Sequence, residues 1–449
     1  MGKDAFDVVI VGGGNSAGYL CKSLADQGFD GSVAVVSAEP VAPYERPALT
    51  KAFLHPPGAK VRARLPGFHT SVGGGGDRQT PEWYSEHNID LMLSTKAVEL
   101  NAASQQVKVE GGDGAKTLSY KKLVLATGAR ALTPKDIKME NPDLGNVFTI
   151  REEEETHALV NKLEELGDKV KRLVIVGGGY IGMETACAFV GWGFEVAMVF
   201  PEDTLMSRLF PDEVGRIFEN YLTARGVTVM SGKMVSGLVP SSADSNLVGG
   251  VKTKGGETIE GDVVIFGVGS RLNGELFKSA GLETGKDRVG GVAVNGDFQS
   301  SDANIYAIGD IAAMNGGSNR YEHVDFCRKS AAQCGTAIAS GNSQGDFSYL
   351  PYFYSRLFEY TDLPTVFQFY GDSSTDQGQK IHLIGQAEAA KDCPSTEKLP
   401  TFGAVWYQPG GTIKGVMLCN ASPEQYDQAK QTVLDAKTFS ETEAESLAA

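Results

Sequence analysis

The sequence predicts an α/β protein in which one supersecondary unit occurs twice and a β-rich segment follows. Three observations predict it. Two short, continuously apolar runs, Asp7 to Val11 (DVVIV) and Arg172 to Val176 (RLVIV), each end in a glycine triplet. Each triplet, Gly12-Gly13-Gly14 and Gly177-Gly178-Gly179, opens a stretch of helical character and then a second short apolar run. From about Tyr349 onward the pattern changes to aromatic and alternating segments between turn signals. Glycine makes up 55 of 449 residues, about 12% against a usual 7% or so. There is no G-X-Y period, so the excess marks places where backbone comes close to something.

The first unit reads as strand Asp7–Val11, a glycine turn, helix Ala17 to Gln27 and strand Val33–Val36. An apolar run without alternation is the mark of a parallel strand covered on both faces. The second unit repeats the order with Arg172–Val176, the turn GGGYIG, helix Met183 to Trp192 and strand Glu195 to Phe200. The turns lie 165 residues apart (177 minus 12), and each unit is expected to be a right-handed βαβ. Each repeat closes on an apolar strand running into glycine, Leu123 to Gly128 and then Val263 to Gly269. Ile305 to Asp310 (IYAIGD) ends in Gly309-Asp310. Further on, Thr365 to Tyr370, Lys380 to Gln386, Phe402 to Gln408 and Thr412 to Leu418 predict an antiparallel sheet with hairpins. A polar helix is expected from Ser422, then a disordered acidic end. Pro56 to Pro81, with Gly73 to Gly76, and Pro240 to Gly250 read as loops. The expected division is residues 1–130 with 271–325, then 131–270, then a C-terminal α+β domain over 326–449.

Composition excludes several classes. A net charge of -15 repels phosphate backbones, so nucleic acid is not an expected partner. No apolar run reaches the roughly 18 residues of a membrane helix, and Val8 to Val11 is too short for a signal peptide. The expectation is a cytoplasmic protein with no membrane association and no obligate protein partner. The six cysteines, Cys21, Cys187, Cys327, Cys334, Cys393 and Cys419, form no C-x-x-C and no zinc spacing. Cys327 and Cys334, seven apart on a helix, would lie about 10 Å from each other, too far for a disulfide. No histidine spacing suggests a metal.

Gly12-x-Gly14-x-x-Ala17 and Gly177-x-Gly179-x-x-Gly182 are dinucleotide fingerprints, each with its strand before and helix after. Bare backbone at a helix N-terminus is what a pyrophosphate needs. Glu39 and Glu202 follow the second strands and can accept hydrogen bonds from ribose hydroxyls. A carboxylate there repels a 2′-phosphate, so Glu202 favours NADH, with NADPH weaker; Arg208 nearby blurs that preference. The alternative for Glu202 is a solvated loop acid. Two such Rossmann-like domains suggest FAD in the first and a nicotinamide in the second. Asp310 at a strand end can hold the flavin ribitol. Arg46 and Lys51, in PYERPALTK, can compensate the pyrophosphate or a reduced flavin, or can be plain surface cations.

These residues resemble the two-domain flavoproteins of the glutathione-reductase fold. VAPYERPALTK, RLPGFH (Arg64 to His69), PEWYSE (Pro81 to Glu86), VGGGYIGMETA, MVFPE, EHVDFCRKSA (Glu322 to Ala331), YLPYFYSR and QFYGD narrow the likeness to the monodehydroascorbate reductases of plants and algae. The resemblance covers nearly the whole chain. It implies FAD contacts at Gly13, Gly14, Asn15, Ser16, Glu39, Arg46, Lys51, the backbone near Ala97, Arg151, Asp310 and Val324. It implies NADH contacts at Gly178, Gly179, Tyr180, Ile181, Gly182, Glu184, Glu202, Arg208 and Gly269. Glu322 and His323 would lie where nicotinamide meets flavin, and Arg328 and Tyr354 would line the substrate pocket, with His323, Arg328 and Tyr354 expected to serve catalysis. The implied reaction is a hydride from NADH to FAD, then two single electrons to two monodehydroascorbate radicals, giving ascorbate. Structural alternatives are an ion-paired surface Arg328, a core Tyr354 and a satisfied core His323. Many relatives carry cysteine where this chain has Ser71. The acidic run Glu152 to Glu155 is expected to be a solvated helix start. The rival reading is a ferredoxin-, rubredoxin- or putidaredoxin-type reductase, which would want a basic docking face that this acidic chain does not advertise.

Overall fold

The computed structural model describes residues 4–59, 78–112, 114–286, 289–374 and 378–449. Arg64 to His69, Ser71 and the Gly73 to Gly76 loop lie outside them. The chain forms two compact units. The first is Met1–Pro47, Arg64–Arg130 and Ser270–Tyr349; the second is Ala48–Ala63, Ala131–Gly269 and Leu350–Ala449.

In the first unit, strand Ala5–Val11 lies between the parallel strands Val33–Val36 and Gly114–Leu125. Ile89–Met92 extends one side and Ile305–Ala307 the other, both parallel. Val8, Val9 and Ile10 are at most 1% exposed, which is why the run is apolar without alternation. The antiparallel strands Thr95–Asn101 and Gln106–Gly111 continue from Gly114–Leu125. Helix Asn15–Asp26 buries Ala17, Leu20, Cys21 and Leu24, the i, i+3, i+4, i+7 face of an amphipathic helix.

That helix packs on helix Val324–Ser340. Ser23 Oγ donates to the Ala332 carbonyl at 3.1 Å, and a side chain at Gly335 would have to displace Ser23. The domain boundary expected at 326 therefore falls inside a continuous helix. Phe326, Ala331 and Cys334 all enter the core of the first unit, so the chain leaves that unit only after Tyr349.

The second unit contains the same sheet again. Arg172–Val176 lies between Glu195–Val199 and Val263–Phe266, with Val227–Met230 and Val147–Thr149 outermost, all parallel. The antiparallel strands Val235–Pro240, Val248–Thr253 and Thr258–Glu260 form a small sheet. The C-terminal sheet runs Tyr352–Leu357, Thr365–Gly371, Ile413–Cys419, Phe402–Tyr407, Lys380–Gly385, antiparallel throughout as the alternation predicts. Phe367, Phe369 and Trp406 surround Phe210 with ring centroids 5.7–6.4 Å away. Helix Tyr180–Gly191 contacts strand Tyr352–Leu357 within this unit, with Tyr180 edge-on to Phe353 at 5.0 Å.

Two local expectations change. The acidic run starts helix Glu153–Leu166 as predicted, with a Glu152/Glu155 capping box. It is not solvated throughout: Glu153 is 6% exposed and pairs with His157, and Glu155 accepts from Thr149 and from the backbone N–H of Arg151. The C-terminal end is not disordered. Ser440 caps helix Glu441–Ser446, and Ala444, Leu447 and Ala448 are buried at 1%, 2% and 4% exposure. Their i, i+3, i+4 spacing is a helical stripe that the surrounding acids obscure in the sequence. Replacing Leu447 by alanine should cost about 2–3 kcal/mol, read as a lower unfolding midpoint by tryptophan fluorescence. An unchanged midpoint would mean that the tail contributes nothing.

Candidate functional site

Both glycine turns solve the same steric problem. Gly12 has φ +121° and Gly177 φ +131°, a region that a side chain resists. A Cβ on Gly12 would overlap the Ala126 carbonyl, and one on Gly177 the Gly267 carbonyl. In each unit the chain must thus pass directly over the end of the neighbouring strand. The second glycines, Gly13 and Gly178, press on Ser37 and on Phe200. The third positions differ in kind. A Cβ on Gly14 would find only Arg46, at 3.9 Å, and one on Gly179 nothing within 4 Å. Protein packing does not demand glycine there, and the space beside both is open enough for a ligand to approach the backbone.

The helices that follow start alike. Gly14 caps Asn15–Asp26 with φ -83°, ψ -174°, and Gly179 caps Tyr180–Gly191 with φ -85°, ψ 179°. Neither has a side-chain cap, so the first-turn N–H groups, Ser16 and Ala17 in one and Ile181 and Gly182 in the other, are offered outward. Asn15 is 7% exposed, and neither its Oδ1 nor its Nδ2 finds a partner among the described residues. A buried unsatisfied amide is costly, and a dinucleotide at this turn would relieve it. The residues therefore fit the group. Gly182 packs its Cα side against the Gly177 carbonyl, while the first repeat tolerates Ala17 there, fully buried.

Around the first turn, Glu39, Tyr44 and Arg46 form one cluster. Arg46 pairs with Glu39, and the Tyr44 hydroxyl donates to Glu39 Oε2 at 2.7 Å. Arg46 Nη1 donates to the same hydroxyl at 3.1 Å. The segment leading to Ala97 is laced to this cluster, since the Ser94 N–H donates to the Glu39 carbonyl and the Thr95 N–H to that of Ser37. Gly309 packs against Ser16, which brings Asp310, 8% exposed, to the helix start. Cys327 Sγ approaches Asp310 Oδ1 at 3.5 Å.

In the second unit, Glu202 follows strand Glu195–Val199 and takes Arg208 Nη2 at 3.3 Å, with the Arg208 side chain 84% exposed. Gly269 follows Val263–Phe266 and accepts from the Leu132 N–H. Arg151 precedes helix Glu153–Leu166. Glu184, expected among the nucleotide contacts, is 3% exposed and takes three protein donors instead. Lys51 Nζ lies 2.8 Å from Oε2, Thr50 Oγ1 donates to the same oxygen, and Ser355 Oγ donates to Oε1 at 2.5 Å. Thr50 and Ser355 are site-forming residues that the sequence did not single out, because hydroxyls carry no signal until a buried acid needs them.

Of the residues expected to meet substrate, Tyr354 lies on strand Tyr352–Leu357 with the Arg356 guanidinium 5.6 Å over its ring. Burial pushes its phenol up to about 12, against a smaller opposing effect of Arg356, so it is a hydrogen-bond donor at neutral pH. In the first unit, His323 is the N-cap of helix Val324–Ser340, its Nδ1 accepting from the Asp325 N–H. Glu322 accepts from Ser270 Oγ and pairs with Arg320, both at 2.6 Å. Arg328, one turn into the helix, pairs with Glu45 at 3.2 Å. Among the described residues no group of histidine, cysteine and acids could hold a metal.

The family model for pyridine nucleotide-disulphide oxidoreductases matches residues 6–340. A monodehydroascorbate reductase of Solanum lycopersicum is 39% identical over 433 residues, 95% of this chain and 93% of that protein. One from Pisum sativum is 37% identical, covering 94% and 92%. Among solved structures, the covalent putidaredoxin reductase–putidaredoxin complex matches with TM-score 0.80 at 26% identity, over 99% of this chain and 96% of that one. An NAD-dependent persulfide reductase from A. fulgidus shares the fold, with TM-score 0.81 at 22% identity over 96% and 77%.

The two kinds of glycine separate by experiment. Gly177→Ala should destabilise the protein by about 1–3 kcal/mol. Gly179→Ala should stay within about 1 kcal/mol yet bind the nicotinamide dinucleotide at least tenfold more weakly. Thermal melts and a dinucleotide titration read both; equal affinity in Gly179→Ala would remove that turn from the site.

Proposed function

We propose a function from one premise: the chain belongs to the pyridine nucleotide-disulphide oxidoreductase family, among its monodehydroascorbate reductases. It uses NADH to reduce the monodehydroascorbate radical to ascorbate, and so recycles an antioxidant. The observation that carries this is the pair of matched, uncapped helix starts, one in each unit, with an acid after each second strand. One turn suits FAD and the other a nicotinamide dinucleotide. When bound, FAD supplies the conversion of one two-electron hydride from NADH into two one-electron transfers.

The chain's own residues bind, orient and select. The Gly12 to Ala17 turn and Asn15 hold a pyrophosphate through N–H groups and an amide, Glu39 takes ribose hydroxyls, and Asp310 takes the ribitol. The Gly177 to Gly182 turn does the same for NADH, and Glu202 selects against a 2′-phosphate. Lys51, anchored by Glu184, supplies fixed positive charge. Arg328 attracts an anionic acceptor against the overall charge of -15, and Tyr354 presents a hydroxyl that stays protonated. His323 fixes the start of the helix that carries Arg328. A small anionic radical needs no nucleophile, and none of the cysteines forms a dithiol motif.

The relatives at 37–39% identity favour this reading over a protein-directed reductase; the putidaredoxin reductase likeness, at 26%, is mainly one of fold. No helix among the described residues is long and apolar enough to cross a membrane. The location proposed is the cytoplasm, to be read by fractionation, since the relatives include proteins named peroxisomal and chloroplastic/mitochondrial.

The test is NADH oxidation while an ascorbate oxidase generates the radical. Arg328→Ala should raise the KM for the radical at least tenfold while NADH still bleaches the flavin; unchanged steady-state kinetics would contradict the assignment. Glu202→Ala should improve NADPH use relative to NADH by about tenfold, on the order of 1.4 kcal/mol. An unmoved ratio would rule out Glu202 as the selector.

A further inference from the structure

Arg328 is not a bare cation. Its Nη2 donates to both oxygens of Glu45, at 3.2 Å each. Its guanidinium carbon stands 5.3 Å from the centre of the Tyr19 ring. The Tyr19 hydroxyl donates to Glu45 Oε1 at 2.8 Å. Three separate pieces of the first unit thus close a triangle: helix Asn15–Asp26, the loop before Pro47 and helix Val324–Ser340. The Glu45 side chain is 9% exposed and that of Arg328 31%. Arg328 Nε is buried and makes no hydrogen bond among the described residues. Asp325, the acid on the same helix, pairs with Lys329 at 2.8 Å and adds a smaller pull on Arg328, while Glu45 is the acid that hydrogen-bonds it.

A carboxylate this close and this buried cancels much of the field that an approaching anion would feel. The guanidinium is held by one nitrogen on Glu45 and by its place over the Tyr19 ring, but it does not present its full charge. The Tyr19 hydroxyl draws on the same carboxylate and so weakens the cancellation.

We propose that Glu45 sets the affinity and charge selectivity for the anionic acceptor by partly neutralising Arg328, with Tyr19 as the positioning residue that holds both. This rests on Arg328 being the substrate cation. Glu45→Gln keeps an oxygen for Arg328 and removes the charge. The KM for monodehydroascorbate should fall about threefold or more with kcat within twofold. Ferricyanide reduction should rise relative to reduction of a neutral quinone, and both gains should shrink at high salt. Tyr19→Phe keeps the ring and leaves the carboxylate to Arg328 alone, so KM should rise.

Opposite movements of KM in the two variants support the proposal. An unchanged or raised KM in Glu45→Gln overturns it. If Glu45→Gln loses its flavin on purification, Tyr19→Phe decides, and an unchanged or lowered KM overturns the proposal. Arg328→Ala separates the two levels. If that change leaves KM alone, the substrate site itself is misplaced. If it raises KM while Glu45→Gln is silent, only the role of Glu45 fails. In the Arg328→Ala background, Glu45→Gln should bring no gain.

Discussion

A strand that turns into a helix within three residues, and must lie across the end of its neighbour, leaves no room for a side chain at the first step. Gly12 over Ala126 and Gly177 over Gly267 meet this constraint in the same way. The rest follows from it. The turn aims the helix start outward without a cap, so a run of N–H groups is left for a ligand. The next strand then ends beside the same opening, which places Glu39 in one unit and Glu202 in the other. Gly309 against Ser16 adds Asp310 to the first opening. Sheet order, helix entry and ligand-facing groups are consequences of one steric rule applied twice.

Charge is handled with equal regularity. Four of the cations expected to meet anionic ligands have a glutamate: Arg46 with Glu39, Lys51 with Glu184, Arg328 with Glu45, Arg208 with Glu202. The exposed Arg208 pair is worth little to stability. The buried ones are not obvious stabilisers either, because desolvation opposes the Coulomb gain. What such pairing does supply is position. An acidic protein that binds anions needs cations that stay in place and do not attract every passing ion. Glu184 shows how far this goes, with three donors converging on one buried carboxylate.

The sheets and both turns were legible because their cause is local: the apolar run, the glycines and the following helix are neighbours in the chain. What the sequence hid is non-local or masked by composition. Glu45 lies in a legible motif, but its partner Arg328 is 283 residues away, so nothing near it in the chain signals the pairing. The burial of Glu153 depends on its pairing with His157, and acids in a first turn usually face water. The tail helix was hidden because three small or aliphatic residues among glutamates look like a disordered end. The boundary expected near 326 falls inside helix Val324–Ser340, whose first eleven residues carry no glycine or proline to punctuate the chain there.

The activity requires a single flavin that takes two electrons from NADH and gives them up one at a time. Anaerobic titration tests it most directly. The purified protein should carry one FAD per chain, lose its flavin absorbance with one equivalent of NADH, and regain it with two equivalents of monodehydroascorbate. A flavin that NADH bleaches but the radical does not reoxidise would contradict the account.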